Sequence, residues 1–198
     1  MKKFLYFPFL IVWMVWGLGT AGCALGKDEF RGTPYSIPEP PPNFSLPSTQ
    51  GENFTLNEQT GKVVLLFFGY TYCPDICPAT VGTIKTALNQ LSAEQREGVT
   101  VAFVTVDPER DTVARLGQYL DSFNAGYIGV IPRLADLDTF RAEYGLVAEK
   151  EDVQPDGSYL MAHTGLVYVL DRDGNLRLGF FSDITADDMA HDIRLLLK

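Results

Sequence analysis

Residues 62–78 read KVVLLFFGYTYCPDICP, an apolar run followed by two closely spaced cysteines. The first part of this stretch, Lys62 to Tyr70, is a nearly continuous apolar run, which is typical of a strand buried on both faces of a sheet. The cysteines that follow, Cys73 and Cys77, stand at the start of a segment with helical periodicity. Apolar residues recur there at Val81, Ile84, Leu88 and Leu91. A strand that leads into a helix through such a loop is typical of an α/β sheet, whose ligands bind at the carboxyl ends of strands.

Strand and helix signals alternate on both sides of this stretch, from Phe44 to the C-terminus. Upstream, two short apolar segments flank Gly51 and predict a hairpin. Downstream, an Asp-Gly turn at 171–175 predicts a second hairpin. The predicted strands are 100–106, 127–131, 164–170 and 176–180, and the predicted helices are 77–91, 111–123, 134–144 and 186–197. This order predicts an α/β domain with a mixed sheet and helices on both faces.

The two cysteines could bind one metal ion together. Residues four apart at a helix start lie about 6 Å from each other along the axis, so their thiols can converge. The N-terminal end of the helix favours the thiolate form that metal binding and nucleophilic attack both require. A structural or reversible disulfide between Cys73 and Cys77 is the alternative, although so short a loop gains little stability from it.

The chain has only two histidines. His191 lies among acidic residues in the last predicted helix, where a solvated helix face explains it. His163 directly precedes the predicted strand 164–170. Taken alone, it could be an ordinary hydrogen-bonded histidine or a metal ligand.

Asp107 and Asp111 follow the strand 100–106. Asp107 precedes a proline and is expected to begin a turn. Asp111 is expected to be the N-cap of helix 111–123. Asp75, between the cysteines, is expected to be an exposed turn residue.

The formal net charge of the 198 residues is -9, and no basic patch is present. Proteins that bind nucleic acid contact phosphates largely through lysine and arginine, so no nucleic-acid partner is expected.

The N-terminus resembles an export signal, because Lys2 and Lys3 precede an apolar stretch and then small residues. Residues 1–22 are therefore expected to be a signal peptide, and Cys23 a lipidated cysteine like that of bacterial lipoproteins. An uncleaved membrane helix over 4–22 is the alternative. Residues 23–43 are rich in proline and predict a linker, with the folded domain at 44–198. Either anchor predicts a membrane-anchored protein that faces the periplasm or the extracellular side.

Three motifs occur in a characteristic order: CPDICP at 73–78, VTVDPERDT at 104–112 and YLMAHT at 159–164. They closely resemble those of the SCO/SenC family, which comprises membrane-tethered copper proteins required for assembly of cytochrome c oxidase. The resemblance covers residues 44–198. It implies a thioredoxin-like fold with the N-terminal hairpin of peroxiredoxin relatives. The chain departs from the family pattern at 127–132, which the resemblance places in a partner-facing loop.

The resemblance implies that Cys73, Cys77 and His163 bind copper, as Cu(I) or Cu(II). It also implies that acids such as Asp107 and Asp111 lie near the metal loop and affect copper handling or docking. Two thiolates and an imidazole suit copper independently of the family, although zinc accepts the same ligands.

The leading hypothesis is therefore a copper chaperone that delivers copper to the dinuclear copper site of cytochrome c oxidase subunit II, alongside other periplasmic copper chaperones. A thiol–disulfide oxidoreductase that reduces the cysteines of that subunit is the alternative, as is a redox or copper sensor. The three residues between the cysteines favour metal binding, since thioredoxin-type motifs have two. A histidine stands where thioredoxins carry a cis-proline, which favours the same function.

Overall fold

The computed structural model describes residues 29–198. The predicted signal peptide, the proposed lipidation site Cys23 and the first part of the predicted linker lie outside this range. None of the helices in the range combines the length and apolar character needed to cross a membrane.

Ten strands and five α-helices make up this part of the chain. In order they are β1 (Thr33–Glu39), β2 (Ser45–Pro47), β3 (Asn53–Thr55), β4 (Val63–Gly69), α1 (Ile76–Asn89), α2 (Ala93–Glu97), β5 (Val99–Thr105), α3 (Val113–Asp121), β6 (Ile128–Val130), α4 (Leu134–Tyr144), β7 (Ala148–Glu151), β8 (Leu160–His163), β9 (Val167–Leu170), β10 (Leu176–Phe180) and α5 (Ala186–Leu196). A short 3-10 helix, Leu56–Gln59, follows β3.

Six strands form the main sheet in the order β1-β10-β9-β4-β5-β6. β4, β5 and β6 are parallel, and β9, β10 and β1 add to them as antiparallel neighbours. Every residue of β4 is buried, as its apolar sequence predicts. The mixed sheet of the predicted thioredoxin-like fold is confirmed.

Helices cover both faces of this sheet. Phe67 of β4 and Phe103 of β5 are register partners on one face, where Phe103 packs against Tyr119 of α3. Successive strand residues point to opposite faces, so Phe68 points the other way. There it contacts Phe140 of α4, with ring centroids 5.4 Å apart.

The predicted linker is wrong in its second half, because residues 33–39 form the edge strand β1. Thr33 pairs with Gly179 of β10. Just before the strand, the backbone N–H groups of Arg31 and Gly32 donate to the fully buried carboxylate of Asp192 in α5, at 3.0 and 2.7 Å. Proline is tolerated at a sheet edge, where its missing N–H faces solvent, so the proline content did not exclude a strand.

One further prediction is wrong in its bounds, and another is confirmed. The predicted strand 164–170 is shorter, since β9 begins at Val167 and residues 164–166 are in no strand. The chain before them forms β8, which ends at His163 and pairs with β7 in a separate two-stranded ribbon. The segment 127–132 confirms the predicted strand 127–131. It contains β6 at the sheet edge, and Tyr127 is buried with its hydroxyl donating to Val81 O at 3.2 Å.

Candidate metal centre

The loop between β4 and α1 carries both cysteines. Cys73 lies in the loop, and Cys77 lies in the first turn of α1. Gly69 ends β4 beneath them, where a Cβ would lie 2.8 Å from Cys77 Sγ and 2.8 Å from the Phe103 ring. A glycine is therefore required for the helix to approach the strand this closely.

His163 is the last residue of β8, and this ribbon brings it to the cysteines. Its Nε2 lies 3.4 Å from Cys77 Sγ and 3.7 Å from Cys73 Sγ. The three donor atoms all lie within 4.8 Å of one another. The structure thus brings together the three residues that the sequence predicts as ligands.

The orientation of the His163 ring is set by its surroundings. Nδ1 lies 3.3 Å from the carbonyl oxygen of Thr164. A proton on Nδ1 that is donated to this carbonyl leaves the lone pair of Nε2 directed at the sulfurs. The ring also packs edge-on against Tyr70, with centroids 5.5 Å apart.

The two thiols differ in exposure and in charge. Cys77 is fully buried, whereas Cys73 is 9% exposed. A hydrogen bond from the Cys77 thiol lowers the pKa of Cys73 to about 4, against the opposing effect of burial. The same bond and burial raise the pKa of Cys77. At neutral pH the site therefore holds one thiolate, on Cys73, and binding of a metal by both sulfurs releases the Cys77 proton.

The donor set fits a soft metal ion. Two sulfurs and one imidazole nitrogen converge on one point, and both cysteines are free thiols. Thiolate and imidazole ligands suit Cu(I), and Cu(II) or zinc can bind with additional oxygen ligands.

Asp107 does not belong to this donor group within the described residues. It is buried and accepts a hydrogen bond from Arg110 Nε at 2.5 Å and from the Tyr159 hydroxyl at 2.9 Å. Arg110 also donates to Tyr159 O at 2.8 Å. Asp107 and Arg110 therefore brace the segment that leads into β8, and so they position His163 rather than contact the metal.

The prediction that Asp111 caps α3 is wrong. Thr112 is the N-cap, and its side chain accepts from Arg115 N. Asp111 is fully buried beneath the metal loop. Its carboxylate accepts from Thr71 N at 3.0 Å, from Thr71 Oγ1 at 2.6 Å and from Thr105 Oγ1 at 2.6 Å. Burial of a carboxylate is costly unless protein groups donate hydrogen bonds to it, and these three donors meet that need.

Tyr70, Arg110 and Tyr159 support the site and were not identified from the sequence. The Tyr70 hydroxyl accepts from Met161 N at 3.2 Å, which ties the metal loop to β8. Such contacts join positions 49 to 91 residues apart and leave no local pattern. His191 lies in α5, outside the donor group, and Asp75 is exposed, as predicted.

The chain is similar to known proteins in both sequence and structure. The profile of the SCO1/SenC family matches residues 38–198. A SCO2-like protein from Rickettsia conorii is 30% identical over 156 residues, which cover 77% of this chain and 74% of that protein.

Two solved structures are similar as well. Bradyrhizobium japonicum ScoI with copper bound has 34% identity and a TM-score of 0.73, covering 80% of this chain and all of that one. Apo Sco1 from Thermus thermophilus also has 34% identity, with a TM-score of 0.76, and covers 87% of this chain and 99% of its own. The similarity therefore includes the loop, ribbon and strands that build the site.

Proposed function

The chain belongs to the SCO1/SenC family, and we propose that it binds copper at Cys73, Cys77 and His163 and delivers it to the dinuclear copper site of cytochrome c oxidase subunit II. One observation carries this proposal: three soft or borderline donors, contributed by a loop, a helix and a separate ribbon, converge within 4.8 Å. Copper is preferred to zinc because a structural relative at 34% identity holds copper.

The unequal burial of the ligands suits transfer by ligand exchange. Cys77 is fully buried and is the ligand that holds the ion longest. Cys73 and His163 are the more accessible donors, at the surface of the site. A thiolate of the acceptor can displace Cys73 first, because Cys73 is the more exposed of the two sulfur ligands.

The proposed location is the outer side of a membrane, in the periplasm or on the cell surface. Cys23 is the proposed lipid attachment site, and a helix over residues 4–22 is the alternative anchor. Both anchors keep the copper site near the membrane in which an oxidase resides.

Metal reconstitution tests the copper proposal. The reduced chain is expected to bind one copper per molecule, and X-ray absorption should report two sulfur ligands and one nitrogen ligand. The Cu(II) form should show a thiolate-to-copper absorption band. The Cys73→Ser/Cys77→Ser double variant is the control and should bind none. Stoichiometric zinc without copper uptake under anaerobic conditions would overturn the proposal.

Membrane fractionation tests the anchor. Cys23→Ser is expected to release the protein into the soluble fraction, because a thioether-linked lipid cannot form on serine. The unsubstituted chain, handled in parallel, should remain in the membrane pellet. Full retention of Cys23→Ser in the pellet would support the uncleaved helix instead.

A thiol–disulfide oxidoreductase is the second candidate, favoured by the lowered pKa of Cys73 and the adjacent thiol of Cys77. In that reaction Cys73 would attack a substrate disulfide and Cys77 would resolve the mixed disulfide, which leaves the substrate reduced and the pair oxidised. A reduction assay on the metal-free chain separates the two candidates.

A further inference from the structure

Beside the metal centre, five side chains alternate between cations and aromatic rings. We call them the cation–aromatic row: Lys150, Tyr159, Arg110, Tyr72 and Arg115. The distances from each cation to the adjacent ring centroid are 4.6, 3.5, 4.6 and 3.8 Å along the row. The row runs from β7 across the metal loop to α3, and Tyr72 directly precedes Cys73.

Within the described part of the chain, two of the three cations in the row form a salt bridge with an acidic side chain, and the third does not. Lys150 pairs with Glu109, and Arg110 pairs with Asp107 at 2.5 Å. Among residues 29–198, Arg115 forms no salt bridge. Its Nε donates to Thr71 Oγ1 at 2.7 Å, and no partner within this range takes its two terminal amino groups. The row therefore ends in a cation that contacts no described carboxylate directly, although Thr71 links it to buried Asp111, in a chain whose net charge is -9.

The guanidinium of Arg115 is held in one orientation. It stacks on the Tyr72 ring, and its Nε bond to Thr71 fixes rotation in the plane. Thr71 is held in turn by buried Asp111. A guanidinium presents its amino groups as a planar fork that matches a carboxylate, and a fork that is already oriented loses less freedom on binding.

We propose that Arg115 receives a carboxylate from an acidic segment of the protein that accepts the metal, with Tyr72 as the ring against which that segment packs. Tyr72 is 45% exposed, and tyrosine and arginine are enriched among the residues that dominate binding energy at interfaces. This inference rests on the proposed function, because it needs a protein acceptor. The contact would place the acceptor next to Cys73, the more exposed thiolate.

A carboxylate fits this position better than a phosphate. Asp107 and Glu109 neutralise the other two cations of the row, so Arg115 alone offers a positive charge, which balances one carboxylate but not a doubly charged phosphate. The whole chain is acidic, so a membrane of anionic lipids repels it, whereas an acidic segment on a protein can meet Arg115 alone.

Stopped-flow transfer of copper tests the inference. The full chain in detergent, loaded with Cu(I), is mixed with the reduced, metal-free copper-site domain of oxidase subunit II from the same organism. Arg115→Gln is expected to slow transfer about fivefold or more at low ionic strength and to weaken the dependence on salt. Arg96→Gln is the matched control, since Arg96 is exposed on α2 at the other end of the sheet, and it should transfer at the unsubstituted rate.

Additional variants and readouts separate the explanations. Arg115→Lys keeps the charge without the fork, so its rate should lie between the other two, and it carries the test if Arg115→Gln folds poorly. Copper content and X-ray absorption should be unchanged in both variants.

Transfer that is equally fast in Arg115→Gln, or equally slowed in Arg96→Gln, would overturn this inference alone. Binding to phosphatidylglycerol vesicles that requires Arg115 would overturn it in favour of a lipid headgroup. No transfer by the unsubstituted chain would overturn the proposed function as well.

Discussion

His163→Ala is expected to lower Cu(II) affinity by at least about 100-fold, since even the loss of a group that only supports a ligand costs 10- to 100-fold. Cu(II) prefers four or more ligands and depends on the imidazole, whereas two thiolates can hold Cu(I) in a near-linear arrangement. Cu(I) affinity should therefore fall less. His163 is half-buried at the end of a ribbon, so the fold should lose little stability.

The measurement is Cu(II) affinity of the folded variant beside its activity on a disulfide substrate. His191→Ala is the matched control, because His191 lies in α5 outside the donor group and should leave copper affinity unchanged. In cells, oxidase activity should fall with His163→Ala while the protein persists. Unchanged Cu(II) affinity would remove His163 from the ligand set and make the oxidoreductase the leading function.

Asp111→Ala is expected to destabilise the fold by about 3 kcal/mol or more, because it leaves three buried donors unsatisfied at about 1 kcal/mol or more each. These donors are the backbone N–H and hydroxyl of Thr71 and the hydroxyl of Thr105. The metal loop should also loosen, since Thr71 lies two residues before Cys73. Copper affinity should then fall although no ligand has changed.

Urea unfolding of the metal-free chain measures this effect. Asp121→Ala is the control, because Asp121 is exposed at the end of α3 and its loss should change the free energy of unfolding by less than about 0.5 kcal/mol. Equal stability of Asp111→Ala and the unsubstituted chain would show that the buried carboxylate does not hold the loop.

The sequence predicted the part of the site that local patterns encode. The apolar run of β4 and the cysteines after it identify a buried strand and a reactive loop, and the structure brings Cys73 and Cys77 together there. His163 could be singled out only with the family resemblance, because its contact with the cysteines spans almost ninety residues. The residues alone left it an ordinary histidine or a ligand.

The errors arose where tertiary contacts overrode local pattern. β7 reads AEKE, a polar sequence without the alternation of a strand, and it forms because β8 pairs with it. Asp111 has the sequence context of an N-cap, yet its side chain accepts hydrogen bonds from Thr71 and Thr105 instead. β1 carries two prolines, so its local sequence does not indicate a strand, and its pairing with β10 defines it.

The hydrogen bonds from the backbone of Arg31 and Gly32 to buried Asp192 shorten the segment that can connect a membrane anchor to the copper site. β10 runs in the same direction as β4, so β1, which starts opposite Gly179, receives the chain at the end of the sheet that bears the metal loop. An anchor at Cys23 would leave seven residues before Arg31, with a reach of at most about 28 Å. The copper site would then be confined to a thin layer above the bilayer and would not diffuse through the whole compartment. An acceptor that displays its site in that layer would meet the copper site more often than one spread through the whole compartment, without a strong affinity between the two proteins.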